Sequence, residues 1–171
     1  MSPTGIHLRA LELTDLDFLF ALENDQRLWS VSNTIVPFSK FTLKEYIIHA
    51  KEDIFTAKQQ RFVISDDQNT PLGLIDLYDF DPLHHRAGVG LVIEESHRGK
   101  GLGKKALALI EELAFQRLQL HQLYVGVVEN NTASLALFKA AGYIECGLKK
   151  DWIYDNHNYH NEVVFQKIAH V

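Results

Sequence analysis

The run Arg98-Gly-Lys-Gly-Leu-Gly103 places three glycines and two cationic side chains within six residues, and Lys104 follows directly. Glycines let a backbone approach a ligand closely, and a helix opening just after them offers unpaired N–H groups and a positive dipole end to an anion. The chemistry of such a loop is phosphate binding. A magnesium-nucleotide loop would need Ser or Thr after Gly-Lys, but Lys104-Lys105 follow Gly103. A dinucleotide fingerprint would need Gly or Ala three residues after its second glycine, where Lys104 stands. It would also need an acid about twenty residues further on, near Leu123, where there is none.

Carboxylates are the second group that could do chemistry. Asp76, Asp79 and Asp81 lie on one strand and its loop, with His84-His85 following. A carboxylate in a cleft can take a proton from an amine or hold an ammonium group, and Asp76 is the residue assigned here as base or substrate ligand. His157-Asn-Tyr-His160 has a spacing possible for a metal but no identifiable third ligand, so it reads as a surface loop and no metal is expected.

These groups must be positioned by a scaffold. Ile6–Leu11 alternates apolar and polar residues as a short strand does, and Thr14-Asp-Leu-Asp17 resembles a capping box opening a helix through about Glu23. Asn24–Phe41 is irregular and carries Trp29. Thr42-Leu-Lys-Glu45 is a capping box for a second helix with Leu43, Tyr46, Ile47, Ile54 and Phe55 as its contacts. Arg61–Ser65 and Leu72–Tyr78 read as a hairpin, Arg86–Ile93 as a third strand, and Gly101–Leu118 as an amphipathic helix. Gln122–Val128 is a strand, Thr132–Ala141 a helix ended by Gly142, and Tyr143–Cys146 and Glu162–Gln166 are late strands. The order is an α/β (α+β) mixed, mostly antiparallel sheet of about seven strands flanked by about four helices.

At 171 residues, 46% hydrophobic and 23% charged, the chain suits one domain, and no apolar run approaches a membrane span. A formal charge of -5 disfavours nucleic acid as partner and favours small cations. The N-terminus lacks the features of a signal peptide and Cys146 is the single cysteine, so a cytoplasmic location is expected.

Arg98, Gly101 and Gly103 match the pattern Gln or Arg, two residues, Gly, one residue, Gly or Ala. Downstream, Asn131-Thr-Ala-Ser134-Leu-Ala-Leu-Phe138 leads into Gly142-Tyr143. With the element order, both segments resemble the GNAT superfamily of N-acetyltransferases, and Leu8–Leu16 and Trp152–Asn161 are similar to its ribosomal-protein and spermidine branches. The resemblance implies a GNAT fold with a splayed parallel strand pair and acetyl-CoA as cosubstrate. The cofactor would lie on the backbone of Leu91, Val92 and Ile93, on Arg98, Gly99, Lys100, Gly101, Leu102, Gly103 and Lys104, and on Asn131, Ser134 and Phe138. It implies a single acetyltransferase domain over residues 1–171 that acetylates a small amine such as a polyamine, or a peptide N-terminus, and forms a homodimer in some relatives. The sequence departs from the family at Phe138, where many relatives carry the Tyr that protonates departing CoA. Tyr124, Tyr143, Tyr154 or a water could replace it, or the thiolate leaves unaided. The same departure leaves open a CoA-binding regulatory module with little turnover.

Overall fold

The computed structural model describes residues 5–32 and 34–169 of the chain. Its strands are β1 (Ile6–Arg9), β2 (Gln60–Asp66), β3 (Pro71–Asp81), β4 (Arg86–Ile93), β5 (Gln122–Val128), β6 (Ile144–Asp155) and β7 (Asn158–Ile168). The helices are α1 (Leu16–Glu23), α2 (Trp29–Ser32), α3 (Lys40–His49), α4 (Ile54–Ala57), α5 (Leu102–Glu112) and α6 (Thr132–Ala140). The seven strands form one sheet in the order β1-β2-β3-β4-β5-β7-β6, antiparallel throughout except for the parallel pair β4–β5. This is the mixed architecture expected from the sequence.

Strand alternation sorts the apolar side chains into two cores. On one face Ile64, Ile75, Leu77 and Val89 pack against Leu102, Ala106, Leu107 and Ile110 of α5, whose helical spacing makes a single buried stripe. On the other face Val63 and Leu74 meet Leu19 and Leu22 of α1 and Leu43 and Ile47 of α3. That second cover stops short of β5 and β7. None of the helices is long and apolar enough to cross a membrane among the described residues.

Several boundaries differ from the sequence reading. The first capping box lies two residues earlier. Glu12 is the N-cap, and Asp15 returns a hydrogen bond to its N–H at 2.9 Å, opening a short 3-10 turn before α1. The second helix is capped by Ser39, whose hydroxyl accepts from Thr42 N–H at 3.0 Å, and it ends at His49. Ile54 and Phe55 belong to the separate turn α4, capped by Asp53. The irregular segment contains α2, and the long helix ends in a π-turn, Leu113–Arg117. The late strands are much longer than expected and form a hairpin that closes at Asn156-His157, both with positive φ (47° and 66°), so the His157–His160 segment is a turn and the start of β7. No group of three or more metal-ligating side chains occurs among the described residues.

Asp15 is 3% exposed and accepts two hydrogen bonds from the Arg9 guanidinium, both 2.8 Å, which ties β1 to the start of α1. Burial pushes its carboxyl pKa up, but the bonds from Arg9 and the Glu12 N–H, with the Arg9 charge, outweigh this and hold it below the ordinary value. A depressed folded-state pKa contributes stability that is complete above the unfolded value near about 3.9 and is lost as pH falls through the folded one. Replacing Asp15 by Ala strands a partly buried guanidinium, with an expected loss of about 3 kcal/mol in denaturant unfolding. In acid titration, Asp15→Asn should flatten the decline of stability below about pH 4. An unchanged acid limb would remove Asp15 from that account.

Candidate active site

The sheet opens in the middle. β4 and β5 pair only at Arg86↔Gln122, Ala87↔Leu123 and Gly88↔Tyr124 and then part, while β4 stays paired with β3 as far as Ile93 and β5 with β7 as far as Val128. Each strand therefore carries one unpaired backbone edge into a wedge-shaped gap. Glu94 N–H bonds to Leu72 O on the β3 side. Alternation then turns Val92 and Gly90 toward β3; Val89 N–H closes the last pair with Tyr124 O, and the Val89 C=O with the N–H and C=O of Leu91 and Ile93 are directed into the gap. Of the three strand residues singled out from the sequence, Leu91 and Ile93 thus offer backbone groups to the gap. The backbone of Val92 is engaged by β3, and its side chain packs toward α1 and α3.

At the C-terminal end of β4, Ile93 O accepts from Arg98 Nε at 2.9 Å, which folds the glycine loop back over the gap. Gly99 and Gly101 have φ of 72° and 75°, and a Cβ at either would meet nothing within 4 Å. Backbone conformation, not crowding, requires glycine there. Gly101 is the N-cap of α5 and has no side chain to accept from the first-turn N–H groups, so these donors are offered outward with the dipole behind them. Lys100 Nζ is held by Ser96 O at 2.9 Å, and Lys104 is exposed on the first turn. Gly103 serves packing, because its Cβ would come within 3.1 Å of Leu137 and 3.4 Å of Leu91. Leu102 is buried in the core below the loop.

Across the gap, Asn131 caps α6, its Oδ1 accepting from Ser134 N–H at 3.2 Å. The side-chain carbonyl is thereby used in folding, and the amide NH2 is the group able to donate outward. Phe138 does not present an open wall. It is 3% exposed, belongs to the core and stands edge-to-face against Tyr143 with centroids 5.1 Å apart. Burial, then the nearby Glu111 carboxylate, raise the Tyr143 pKa, and this phenol lies on the α5 side of the core.

The face left bare by α1 and α3 carries the second half of the site. Gly88, Gly90 and Gly126 form a floor without side chains where β4 and β5 part. The Tyr78 ring lies so flat on Gly88, and the Glu162 carboxylate so flat on Gly126, that neither glycine has room for a Cβ. Tyr78 and Tyr124 meet edge-to-face at 6.1 Å and 82°. Burial raises both phenol pKa values, and Tyr78 is pushed further by Tyr124 and by the charges of Glu162, Asp79 and Asp76. Beside them Asp76 accepts from Arg61 Nε at 2.7 Å and Nη2 at 3.0 Å, while Arg61 Nη1 donates to Glu23 at 2.6 Å. Arg61 is further covered by Tyr46, whose ring centroid is 5.5 Å from the guanidinium carbon. A cavity of about 620 Å³ opens between Arg27, Trp29 and the end of β6 with its turn, Trp152–Asn156. Arg27 also bridges Asp25 and Glu95, each at 2.7 Å, joining this wall to the turn that precedes the glycine loop.

The fold thus brings Asp76 and Tyr124 onto one face of the parted strands and the glycine loop and Asn131 to the ends of the same gap. Asp81 stays outside, accepting from Leu83 and His84 N–H in a turn and pairing with Arg86. Tyr78, Arg61, Glu23 and Glu162 were not singled out from the sequence. A signal for Tyr78 was present, because Asp76-x-Tyr78 beside Gly88-x-Gly90 places two polar side chains over two bare positions of a neighbouring strand.

Comparison with known proteins agrees with this geometry. Residues 6–144 match the family model described as acetyltransferase (GNAT) domain. The spermidine N(1)-acetyltransferase of Vibrio cholerae is 29% identical over 140 residues, covering 82% of this chain and 79% of that protein. Its counterpart in Escherichia coli K12 is 27% identical over 165 residues, covering 95% and 85%. The crystal structure of the Vibrio cholerae enzyme in complex with CoA and spermine superposes with a TM-score of 0.87 at 26% identity, covering 95% of both chains. With the parted parallel strands, the glycine loop and a family match over most of its length, the chain belongs to the GNAT family of N-acetyltransferases.

Proposed function

We propose that the chain transfers an acetyl group from acetyl-CoA to a primary amine of a small polycation of the spermidine type. The observation that carries this reading is the floor of Gly88, Gly90 and Gly126 walled by Asp76 and Glu162 with Tyr78 and Tyr124. Carboxylates at both ends of an aromatic groove suit an acceptor with several separated positive charges, whereas a peptide N-terminus brings one. The related enzymes named for spermidine point the same way.

The donor side fits the cofactor. Uncapped N–H groups at Gly101–Gly103, with Arg98, Lys100 and Lys104, suit a pyrophosphate, and the free N–H and C=O of Leu91 with the Ile93 N–H suit an extended amide-bearing arm. The Asn131 NH2 and Ser134 face the other side of that arm. Acetyl-CoA supplies an acyl group on a thioester, whose thiolate, with a conjugate-acid pKa of about 8.5 by analogy with cysteine, is a tolerable leaving group. The backbone N–H of Leu91, the first donor of β4 beyond the paired stretch, stabilises negative charge developing on the acyl oxygen. Both Asp76 oxygens already accept from Arg61, so this carboxylate serves as an oriented ligand for the acceptor ammonium. Water takes the proton that the ammonium loses before attack and the one the nitrogen loses from the tetrahedral adduct, and solvent returns a proton to whichever group protonates the sulfur. The Tyr124 phenol, kept protonated by burial and the neighbouring Asp79, donates a proton to the departing sulfur, a role Phe138 has no group to perform.

Thiol release measured with spermidine, a monoamine and a peptide with a free N-terminus tests this reading. Spermidine should exceed the other two in kcat/KM by at least about tenfold, since one desolvated charge contact is worth that much. Preference for the peptide would reassign the acceptor. CoA binding without thiol release on any amine would instead favour the regulatory module that Phe138 motivates. Tyr124→Phe should lower kcat by about ten- to a hundredfold and leave CoA affinity intact. Asp76→Asn should raise the KM for spermidine about tenfold with a smaller change in kcat, and an effect on kcat alone would make Asp76 a base instead.

A further inference from the structure

One cation already sits in the groove. Lys149 Nζ is 2.8 Å from Glu162 Oε1 and 4.7 Å from the centre of the Trp152 ring. Residues three apart on a regular strand point to opposite faces, so this pairing needs an irregularity. β6 supplies it: register slips between Lys149 and Ile153, and Asp151 has φ of 50°. This bulge turns Trp152 back onto the face of Lys149. The bulge is itself clamped, because Asn161 Oδ1 accepts from Asp151 N–H at 3.0 Å while Glu129 accepts from Asn161 N–H and Nδ2, both at 3.0 Å. The partners differ in exposure. Glu162 is 15% exposed and fixed over Gly126, whereas Lys149 is 45% exposed on a flexible stem.

We infer that Glu162 and Trp152 form a cation subsite of the acceptor groove, and that Lys149 is a tethered competitor occupying it until an acceptor's second ammonium displaces it. This rests on the polycation reading above. A carboxylate and an aromatic face are the two groups that hold an alkylammonium, and the subsite lies between the Tyr78–Tyr124 pair and the cavity beyond Trp152. A monoamine reaching only the parted strands has no need of it. Lys149 therefore acts as a specificity filter: it leaves short monocations unaffected and sets a threshold that only acceptors with a distant second charge overcome.

The experiment compares the full-length chain with Lys149→Met, Lys149→Arg, Glu162→Gln and the double variant Lys149→Met/Glu162→Gln. Calorimetric binding of spermidine and of n-butylamine is measured first, and acetylation kinetics follow. An exposed ion pair is worth a factor of about three to five, so Lys149→Met should tighten spermidine by that factor, leave n-butylamine unchanged and lower KM at constant kcat. Lys149→Arg, whose guanidinium grips Glu162 through two N–H groups and stacks on Trp152, should weaken spermidine relative to the parent. Glu162→Gln should weaken spermidine and abolish the gain in the double variant. Looser spermidine binding in Lys149→Met, or an equal gain for n-butylamine, overturns the inference and makes Lys149 a support for Glu162. Calorimetry keeps the two proposals separable: if no amine is acetylated the polycation reading of the reaction fails, yet the binding ratios still decide the role of Lys149.

Discussion

The site depends on a parallel strand pair that is broken after three residue pairs. A sheet opened in its middle exposes backbone N–H and C=O groups that elsewhere would be satisfied by the neighbouring strand, and such groups are costly unless water or a ligand reaches them. The fold tolerates the opening because each strand keeps its outer partner, β3 for β4 and β7 for β5, to the end of the gap. Packing fixes its width. Gly103 lets α5 approach Leu137 of α6 and Leu91 of β4, and Arg98 bonds to Ile93 O at the wide end. An extended ligand with amides of its own completes the ladder that the protein leaves unfinished.

The glycines of this chain divide by physical purpose. Gly99 and Gly101 are needed for a positive φ that frees the donors of α5, in open surroundings. Gly88 and Gly126 lie in regular strands, where glycine weakens the sheet, and they are kept because an aromatic ring and a carboxylate lie across them. The first pair shapes the loop at the start of α5 and the second the face where β4 and β5 part. Between them, strand alternation assigns odd-numbered backbone groups of β4 to the gap and even-numbered side-chain positions to the face left bare by α1 and α3, so the two surfaces of one strand are available for separate purposes.

The glycine loop and the helix it opens were legible in the sequence because their signal is contiguous: six residues carry the glycines and cations, and the helix that follows has a clear apolar period. The succession of strands and helices along the chain was legible from alternation and helical period. What escaped was long-range pairing. Asp15 reads as the second residue of a capping box, but a guanidinium on β1 buries it at the N3 position of an earlier one. Thr42 reads as an N-cap until Ser39 supplies the hydroxyl three residues ahead of it. Glu162 looks like the start of a short strand, because the bulge that extends β6 past Cys146 has no local signature and depends on Asn161 and Glu129 meeting in space. Phe138 matched its motif by spacing, but the same spacing also suits a core ring against Tyr143.

A net charge of -5 spread over a surface does not by itself select a polycation, since salt screens it within about 10 Å. Selection requires charges fixed where water is scarce. Asp76 meets that condition because Arg61, shared with Glu23 and covered by Tyr46, restricts it to one orientation. Glu162 meets it by lying on Gly126 beside the Tyr78 and Tyr124 rings. Both carboxylates carry a resident cationic partner, yet the partners differ. Arg61 is bidentate on Asp76 and tied to Glu23 as well, so it stays and orients, whereas Lys149 meets Glu162 through a single ammonium at the rim and can leave. Under the proposed reading, a polycation would meet one acidic group that is permanently oriented and another that must be vacated.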